Sequence, residues 1–374
     1  MQLKTKQFQE LTATILTAVD NEAAHLELVT KGAELRLNIT NKVYYVSAKF
    51  PLETPEVFRA VVDAAPFLNL ISKITTDTFN LSIKDNYVLI KHGKSSYKAP
   101  MIFENESLVS LTPIIINNSL VDMPISCEIL KSILNVNGRE VQKGKFIEVK
   151  ELQKLYYIDE TGCFTFTTGA CLNSFTLEKP VKLLLTDQLV RLFRLFKEDV
   201  YFNYGKDPLA DGSLQTKVSF ETSDIYLASI LNCDDKLLAD VQRPCAATKS
   251  YVTAAYPNHL VLSVSELSNA IARLTSFTKD KLQDIHSIPA KVTFDSAEMT
   301  ITDQLENSEV VSIENGSYTD ATEQYSMLLN LADIKGILET CKVDHITLNC
   351  GNHKSIVINR GTINNLVPEL TEAE

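Results

Sequence analysis

Tryptophan is absent from the 374 residues, and no stretch approaches the ~20 consecutive apolar residues that a membrane span needs. The first absence removes the best platform for stacking nucleobases. The aromatic content that remains is 8% and is little interleaved with basic residues, so single-strand binding by stacking fits poorly. The second absence excludes a helical membrane protein. The opening segment, MQLKTKQFQELTATILTAV, starts with lysines, but its apolar residues come at helical spacing, without a solid apolar block or a small-residue cleavage site. A cytoplasmic protein is expected, and the sequons at Asn38 and Asn315 then mean little.

Catalytic and metal motifs are also missing. Seven cysteines are scattered without a CxxC pair, and the odd number argues against a disulfide framework. Cys163, Cys171, Cys233 and Cys245 sit among apolar or strand-like neighbours, as reduced, buried thiols do. The six histidines show no HExxH or comparable ligand spacing, and no GxSxG elbow is present. Gly93-Lys94-Ser95-Ser96 matches the end of a phosphate-binding loop. Val88, however, stands where the first glycine belongs, and strand-like Tyr97-Lys98-Ala99 follows in place of a helix, so the segment reads as a hairpin turn. The acidic clusters Asp234-Asp235 and Asp303 with Glu306 lack surroundings that would drive two carboxyl pKa values apart, and they read as solvated surface. A non-enzyme without cofactor or metal is expected.

What is present is length, an ample core and repetition. A chain of this length exceeds one ordinary core and suggests two or three domains. One pattern occurs three times: an amphipathic helix, several short strands, a second helix, more strands. The first helices run over Gln7 to Val19, with Phe8, Leu11, Ile15 and Val19 on one face, over Ser126 to Val136, with Ile129, Leu130, Ile133 and Leu134, and over Ser265 to Thr278, with Leu267, Ile271, Leu274 and Phe277. The second helices are placed at Glu56 to Lys73, interrupted near Pro66, at Thr186 to Lys197 with Thr186 as N-cap, and at Leu331 to Lys342. Residues 79–98 read as three strands with turns at Asp85-Asn86 and Gly93-Lys94. Linkers are read at Thr112 to Asp122 and Pro244 to Asn258. The expectation is an α+β fold of three repeated domains, residues 1–118, 119–250 and 251–374, with antiparallel sheets each covered on one face by helices.

The net charge of −11 argues against nucleic acid as a sum but not as a distribution. Arg191, Arg194 and Lys197 are spaced by three on one helix, and Lys73, Lys131, Arg273, Lys279, Lys335 and Lys342 fall on or beside the others. A single such helix is an ordinary solvated face. Several related helices lining one surface would make it basic within an acidic molecule, suited to sequence-independent contact with duplex phosphates.

At this point the residues resemble a family, the bacterial-type sliding clamp, the beta subunit of the replicative DNA polymerase. The resemblance covers the chain unevenly. Thr165 to Leu172 is similar to the family's Thr-Asp-Gly-His-Arg-Leu segment at Thr167, Gly169 and Leu172 and departs at Thr168, Ala170 and Cys171. Ile230 to Pro244 fits the next family segment in length and closing proline, with Lys236-Leu237-Leu238 in place of Phe-Pro-Asp. Leu267 to Phe277, Val292 to Asp295, Asn330 and Leu366-Val367-Pro368 are similar to the final domain, and Phe67 to Ala99 to the first. The early Pro-rich segment is missing, a divergence that suits a phage or plasmid version.

The resemblance implies a head-to-tail homodimeric ring with helices inside and sheets outside, loaded by a clamp loader, sliding on duplex DNA and tethering a DNA polymerase and other proteins by short hydrophobic peptides. Carried over by position, the peptide pocket would include Thr167, Gly169, Leu172, Leu237, Val241, Asn330, Ser355, Val367 and Pro368. The ring interface would pair the strand at Tyr97 to Ala99 with the helix end near Phe277. The competing reading from the residues is a β-rich repeat scaffold or virion component with no DNA-encircling role. An enzyme stands third, for want of any cleft of convergent titratable groups.

Overall fold

The structure is a computed structural model that describes residues 1–19, 24–41, 43–134, 139–142, 145–148, 155–159, 162–166, 172–175, 181, 183–231, 250–278, 288–317, 325–351, 354–361 and 363–370. In chain order it begins with β1 (Gln2–Lys4), α1 (Thr5–Val19), β2 (His25–Lys31), β3 (Glu34–Thr40), β4 (Tyr44–Pro51), β5 (Arg59–Asp63), α2 (Ala64–Ser72), β6 (Thr78–Lys84), β7 (Tyr87–His92), β8 (Ser95–Pro100) and a short hairpin, β9 (Phe103–Glu104) and β10 (Ser107–Leu108). It continues with β11 (Ser119–Ile125), α3 (Cys127–Leu134), β12 (Arg139–Gln142), β13 (Lys145–Glu148), β14 (Leu155–Asp159), β15 (Gly162–Phe166), β16 (Leu172–Phe175), β17 (Leu183–Leu185), α4 (Asp187–Leu192) with a 3-10 turn over Phe193–Leu195, β18 (Val200–Pro208), β19 (Leu214–Glu221) and β20 (Ile225–Leu231). The last stretch holds β21 (Asn258–Ser263), α5 (Val264–Thr278), β22 (Pro289–Phe294), β23 (Glu298–Asp303), β24 (Ser308–Ser317), β25 (Tyr325–Asn330), α6 (Leu331–Leu338), β26 (His345–Cys350), β27 (Ser355–Arg360) and β28 (Ile363–Pro368).

The chain forms two compact units, one of Met1–Cys127 with Gln188–Asn232, the other of Glu128–Asp187 with Cys233–Glu374. The first holds a four-stranded sheet, β1-β6-β7-β8, and an eight-stranded sheet, β11-β18-β19-β20-β4-β3-β2-β5. The second holds a twelve-stranded sheet, β17-β14-β15-β16-β28-β27-β26-β21-β24-β23-β22-β25. These orders resolve into six four-stranded halves of two kinds. One kind is β5-β2-β3-β4, repeated as β17-β14-β15-β16 and β25-β22-β23-β24. The other is β1-β6-β7-β8, repeated as β11-β18-β19-β20 and β21-β26-β27-β28. The halves join edge to edge at β4 with β20, at β16 with β28 and, over the second half of β24, at β21 with β24, all antiparallel.

In the first unit α1 buries Phe8 against Phe50 of β4 and Phe79 of β6, edge to face at 5.3 and 5.5 Å, so one helix residue serves both sheets. Gln9 on the same helix donates to the carbonyl oxygens of Ile71 and Ile74, both at 2.8 Å, satisfying the C-terminal end of α2. In the second unit Leu267, Ile271 and Leu274 of α5 and Ile334, Ile337 and Leu338 of α6 share one core with β22, β23 and β26. Arg360, buried on β27, donates to Asn365 Oδ1 at 2.9 Å and Thr340 Oγ1 at 2.7 Å, and its guanidinium lies at the carbonyl end of α6, where the helix dipole favours a cation.

Several sequence expectations need correction. The helix expected over Glu56 to Lys73 starts only at Ala64; Arg59–Asp63 is a strand whose Ala60, Val61 and Val62 are all buried, and β-branched pairs favour that state. Pro66 interrupts nothing, because it lies in the first turn, where its missing N–H has no intrahelical partner to lose. The linker expected over Thr112 to Asp122 ends in strand β11, which pairs with β18. The last helix stops at Leu338, and the one begun at Asp187 tightens into a 3-10 turn. Asp303 is buried, its carboxylate accepting from the amides of Leu305 and Asn307 to fix a turn. The three strands over residues 79–98 and both their turns are as expected, with Asp85 at φ 53° and Gly93 at φ 51°.

Candidate functional site

The pocket residues carried over by resemblance that lie among the described residues all fall in the second unit. Leu172 opens β16 and pairs with Leu366 of β28; Ser355 of β27 pairs with Pro368, and Ile356 with Val367. Val367 and Ser355 are buried, and the Ser355 hydroxyl stands 3.4 Å from that of Tyr256. The chain beyond β28 returns to the far end of the sheet, where Leu370 N donates to Leu328 O of β25 at 2.8 Å. This brings the strand that ends in Asn330 to the same edge. Asn330 itself is consumed by architecture. Its side-chain oxygen accepts from Ile288 N at 3.0 Å and Ala332 N at 3.2 Å, and its amide donates to Asp333 at 2.8 Å, capping α6. Thr167, Gly169, Leu237 and Val241 lie outside the described residues.

The candidate phosphate-facing cations divide. Arg191, Arg194 and Lys197 are exposed on α4 and the turn after it, as is Lys73 at the end of α2. The 3-10 turn ends at Leu195 and Phe196 is extended, so Lys197 lies beyond the helical stripe of Arg191 and Arg194 expected from their spacing. Arg194 and Lys197 line a cavity of about 540 Å³ together with Lys49, Glu10, Glu198 and Asp224, a mixed rather than uniformly basic setting. Lys131 is half-buried on α3, and Lys335 lies 4.0 Å from Glu339 one turn on. Arg273 is committed elsewhere. Its guanidinium grips Glu309 of β24 by two bonds of 2.7 and 2.6 Å, which hold the Glu309 carboxyl below and the arginine above their ordinary ranges. Lys279 lies outside the described residues.

Of the candidate interface residues, Tyr97 and Ala99 belong to β8, the edge strand of the four-stranded sheet, which among the described residues pairs with β7 alone. Tyr97 is 41% exposed and stacks on His92 at 5.6 Å. Phe277 falls in the last turn of α5. Among the described residues no three His, Cys, Asp or Glu side chains are grouped to hold a metal, and no helix is long and apolar enough to cross a membrane.

Sequence reasoning missed the strap on which the first unit depends. Residues 114–118 lie against the eight-stranded sheet, tied by the carboxylate of Asp207 and the ammonium of Lys217, which are 2.8 Å apart. The amides of Asn117 and Asn118 donate to Asp207, Lys217 also donates to Ile115 O, and Tyr226 Oη donates to Ile114 O. The only hint in the sequence was a pair of opposite charges ten residues apart on a strand-rich segment.

No protein-family model matches the sequence, and no curated protein matches it by sequence. Similarity to solved structures extends over the whole chain. DNA polymerase III subunit beta from Borrelia burgdorferi superposes with a TM-score of 0.65 at 13% identity, covering 99% of this chain and 98% of that one. The Helicobacter pylori beta clamp bound to a DNA ligase peptide gives 0.63 at 16% identity, with 99% of each chain covered. DNA polymerase III subunit beta from Pseudomonas aeruginosa gives 0.62 at 12% identity over the full length of both. The chain has the fold of the bacterial sliding clamps: β-rich, antiparallel, with few helices.

Proposed function

We propose that this protein is a DNA polymerase processivity factor: two copies close head to tail into a ring around duplex DNA, slide along it, and tether a polymerase and other proteins through short peptides. The observation that carries the reading is the clamp fold over 99% of the chain and 98–99% of its structural counterparts. The three domains proposed are residues 1–118, 119–250 and 251–374.

Strand topology supports the ring. Of the six sheet halves, four are joined in two pairs by the same edge contact, β4 with β20 and β16 with β28. The equivalent edges left over among the described residues are β8 and the first half of β24, where Ser308–Ser312 pair with β23 alone. In one chain these two edges belong to different units, and an exposed edge strand invites pairing with another chain. Joining β8 of one copy to β24 of a second repeats the internal contact and closes a dimer with a twofold axis. This assigns Tyr97 and Ala99 a strand partner on β24 beside Val310, in addition to the helix end near Phe277.

Retention is then topological. The lining needs only weak, sequence-independent attraction to phosphates, which Lys73, Arg191, Arg194 and Lys197 provide and which permits sliding. No chemical step is involved, so the protein acts as a non-enzyme. Partners dock by an apolar anchor near the join of β16 with β28, the strands that carry Leu172, Val367 and Pro368.

The test is threading. The protein is incubated with bead-tethered linear duplex whose free end is then blocked by a bound protein, and the beads are washed in salt high enough to strip phosphate contacts. The reading expects retention on blocked duplex and loss from open duplex. Equal retention on both would overturn it.

A further inference from the structure

A cavity of about 920 Å³ in the first unit has no role in the function proposed above. It is lined by Thr40 and Asn41 before β4, by residues 109–115, by Gln215 and Lys217 of β19, and by Ile230 of β20. The strand registers explain why it is there. Tyr44 opens β4 and pairs with Ser229, as Leu172 opens β16 and pairs with Leu366. Thr216 pairs with Leu231 as Ser355 pairs with Pro368, and Lys217 with Ile230 as Ile356 with Val367. Position for position, Ile230 and Leu231 are the counterparts of Val367 and Pro368.

We infer that this cavity is a second peptide-docking groove, the internal duplicate of the partner pocket, and that it takes an extended peptide with a large aliphatic or aromatic anchor flanked by a lysine or arginine. The inference rests on the reading of β16, β27 and β28 as the first pocket. The anchor preference follows from the walls. Leu111 and Ile114 form a buried floor, while Phe103 at 40% and Ile115 at 54% exposure stand at the rim. Apolar groups left open around a concave site mark a binding surface, and the volume suits one or two anchor side chains. The basic flank follows from charge. The Lys217 ammonium is taken up by Asp207 and the Ile115 carbonyl, whereas Glu104 lines the cavity with no cation within ion-pair distance among the described residues. With the Lys217 ammonium held by Asp207, the Glu104 carboxylate is left to meet a basic residue of an incoming peptide, with His25 also lining the cavity.

The experiment is selection of phage-displayed random peptides on the intact protein, followed by titration of the recovered peptides, synthesised and labelled, against three variants. Phe103→Asp spoils the groove rim, Glu104→Lys reverses its charge, and Pro368→Asp, at a half-buried position, spoils the first pocket. Phe103 and Glu104 are exposed, so these two variants keep the fold. The expected result is a peptide class rich in aliphatic, aromatic and basic residues that loses at least about tenfold in affinity on Phe103→Asp and weakens on Glu104→Lys. The same class is unchanged by Pro368→Asp. Peptides that respond only to Pro368→Asp would overturn the groove while leaving the first pocket standing. A fall in solution mass on Phe103→Asp would also overturn it, by assigning the face to a second copy of the chain.

Discussion

Replacing Asp207 by alanine is the sharpest perturbation of the strap that positions residues 114–118. The carboxylate is buried, with five donor contacts: from Lys217 Nζ at 2.8 Å, from Asn118 N at 2.9 Å, from Asn117 N at 3.1 and 3.2 Å, and from Asn117 Nδ2 at 3.3 Å. Alanine leaves a largely buried ammonium without its counter-charge and two backbone N–H groups without an acceptor. Breaking one side of such a pair costs about 3–5 kcal/mol, most of it from the orphaned partner. In a unit of roughly 170 residues each kcal/mol moves the midpoint by about 2–4 °C, so a fall of about 6–20 °C is expected in calorimetry. The double variant Asp207→Ala with Lys217→Met removes the orphan as well and should recover part of the loss, a non-additivity that isolates the pair. Acid supplies an independent check. Burial acts to raise the Asp207 carboxyl, but the Lys217 ammonium and the Asn118 and Asn117 amides outweigh it and hold the group below the usual carboxylate range. A depressed carboxyl stabilises above its unfolded value and loses that contribution as pH falls through its folded one. The gap between wild type and Asp207→Ala must therefore narrow in acid. A loss under about 1 kcal/mol, or a double variant no better than the single, would refute the argument.

Gly205→Ala should destabilise the same unit by more than an ordinary overpacking cost of about 1–3 kcal/mol, because an added Cβ would sit 2.3 Å from the Asn118 carbonyl oxygen; thermal denaturation reads it. Cys350 is pushed up to about 12 by burial, so it should resist iodoacetamide at pH 8 in the native protein and react on unfolding, as mass spectrometry of the alkylated peptide would report. Its raised value also means that the thiol's stabilising contribution is complete below the unfolded value and fades as pH rises from about 9 towards 12. Reversing Arg191, Arg194 and Lys197 to glutamate should reduce threading onto duplex at low salt and flatten its salt dependence by up to about three phosphate contacts, with the fold unchanged by circular dichroism.

How much of this was legible in the sequence depended on whether the signal was local. The hairpins over residues 79–98 announced themselves through Asp85 and Gly93, whose positive φ the turns require. The helices at Thr5–Val19 and Val264–Thr278 were legible because Phe8 and Ile15, and Leu267, Ile271 and Leu274, recur at helical spacing and are buried together. Arg59–Asp63 was misread as helix because a short apolar run has no period of its own, and only pairing with β2 makes it a strand. The joins of β4 to β20 and β16 to β28 connect residues far apart in sequence, which no window along the chain reveals. Asn330 illustrates the limit for site residues: the resemblance marks the position, yet the geometry accounts for its side chain as a helix cap and a tie to the backbone of Ile288. Arg273 illustrates the converse, since a basic residue on a helix becomes half of an ion pair once β24 lies beside it.

Retention on DNA depends on the closure of two chains into a ring. Light scattering on the purified protein, with negative-stain images of the same sample, measures it. Twice the mass of one chain and particles with a central hole are expected, and Tyr97→Asp, placed on the open edge of β8, should lower the mass towards that of a single chain. A compact particle of one chain's mass at every concentration would contradict it, because an open arc cannot hold DNA by topology.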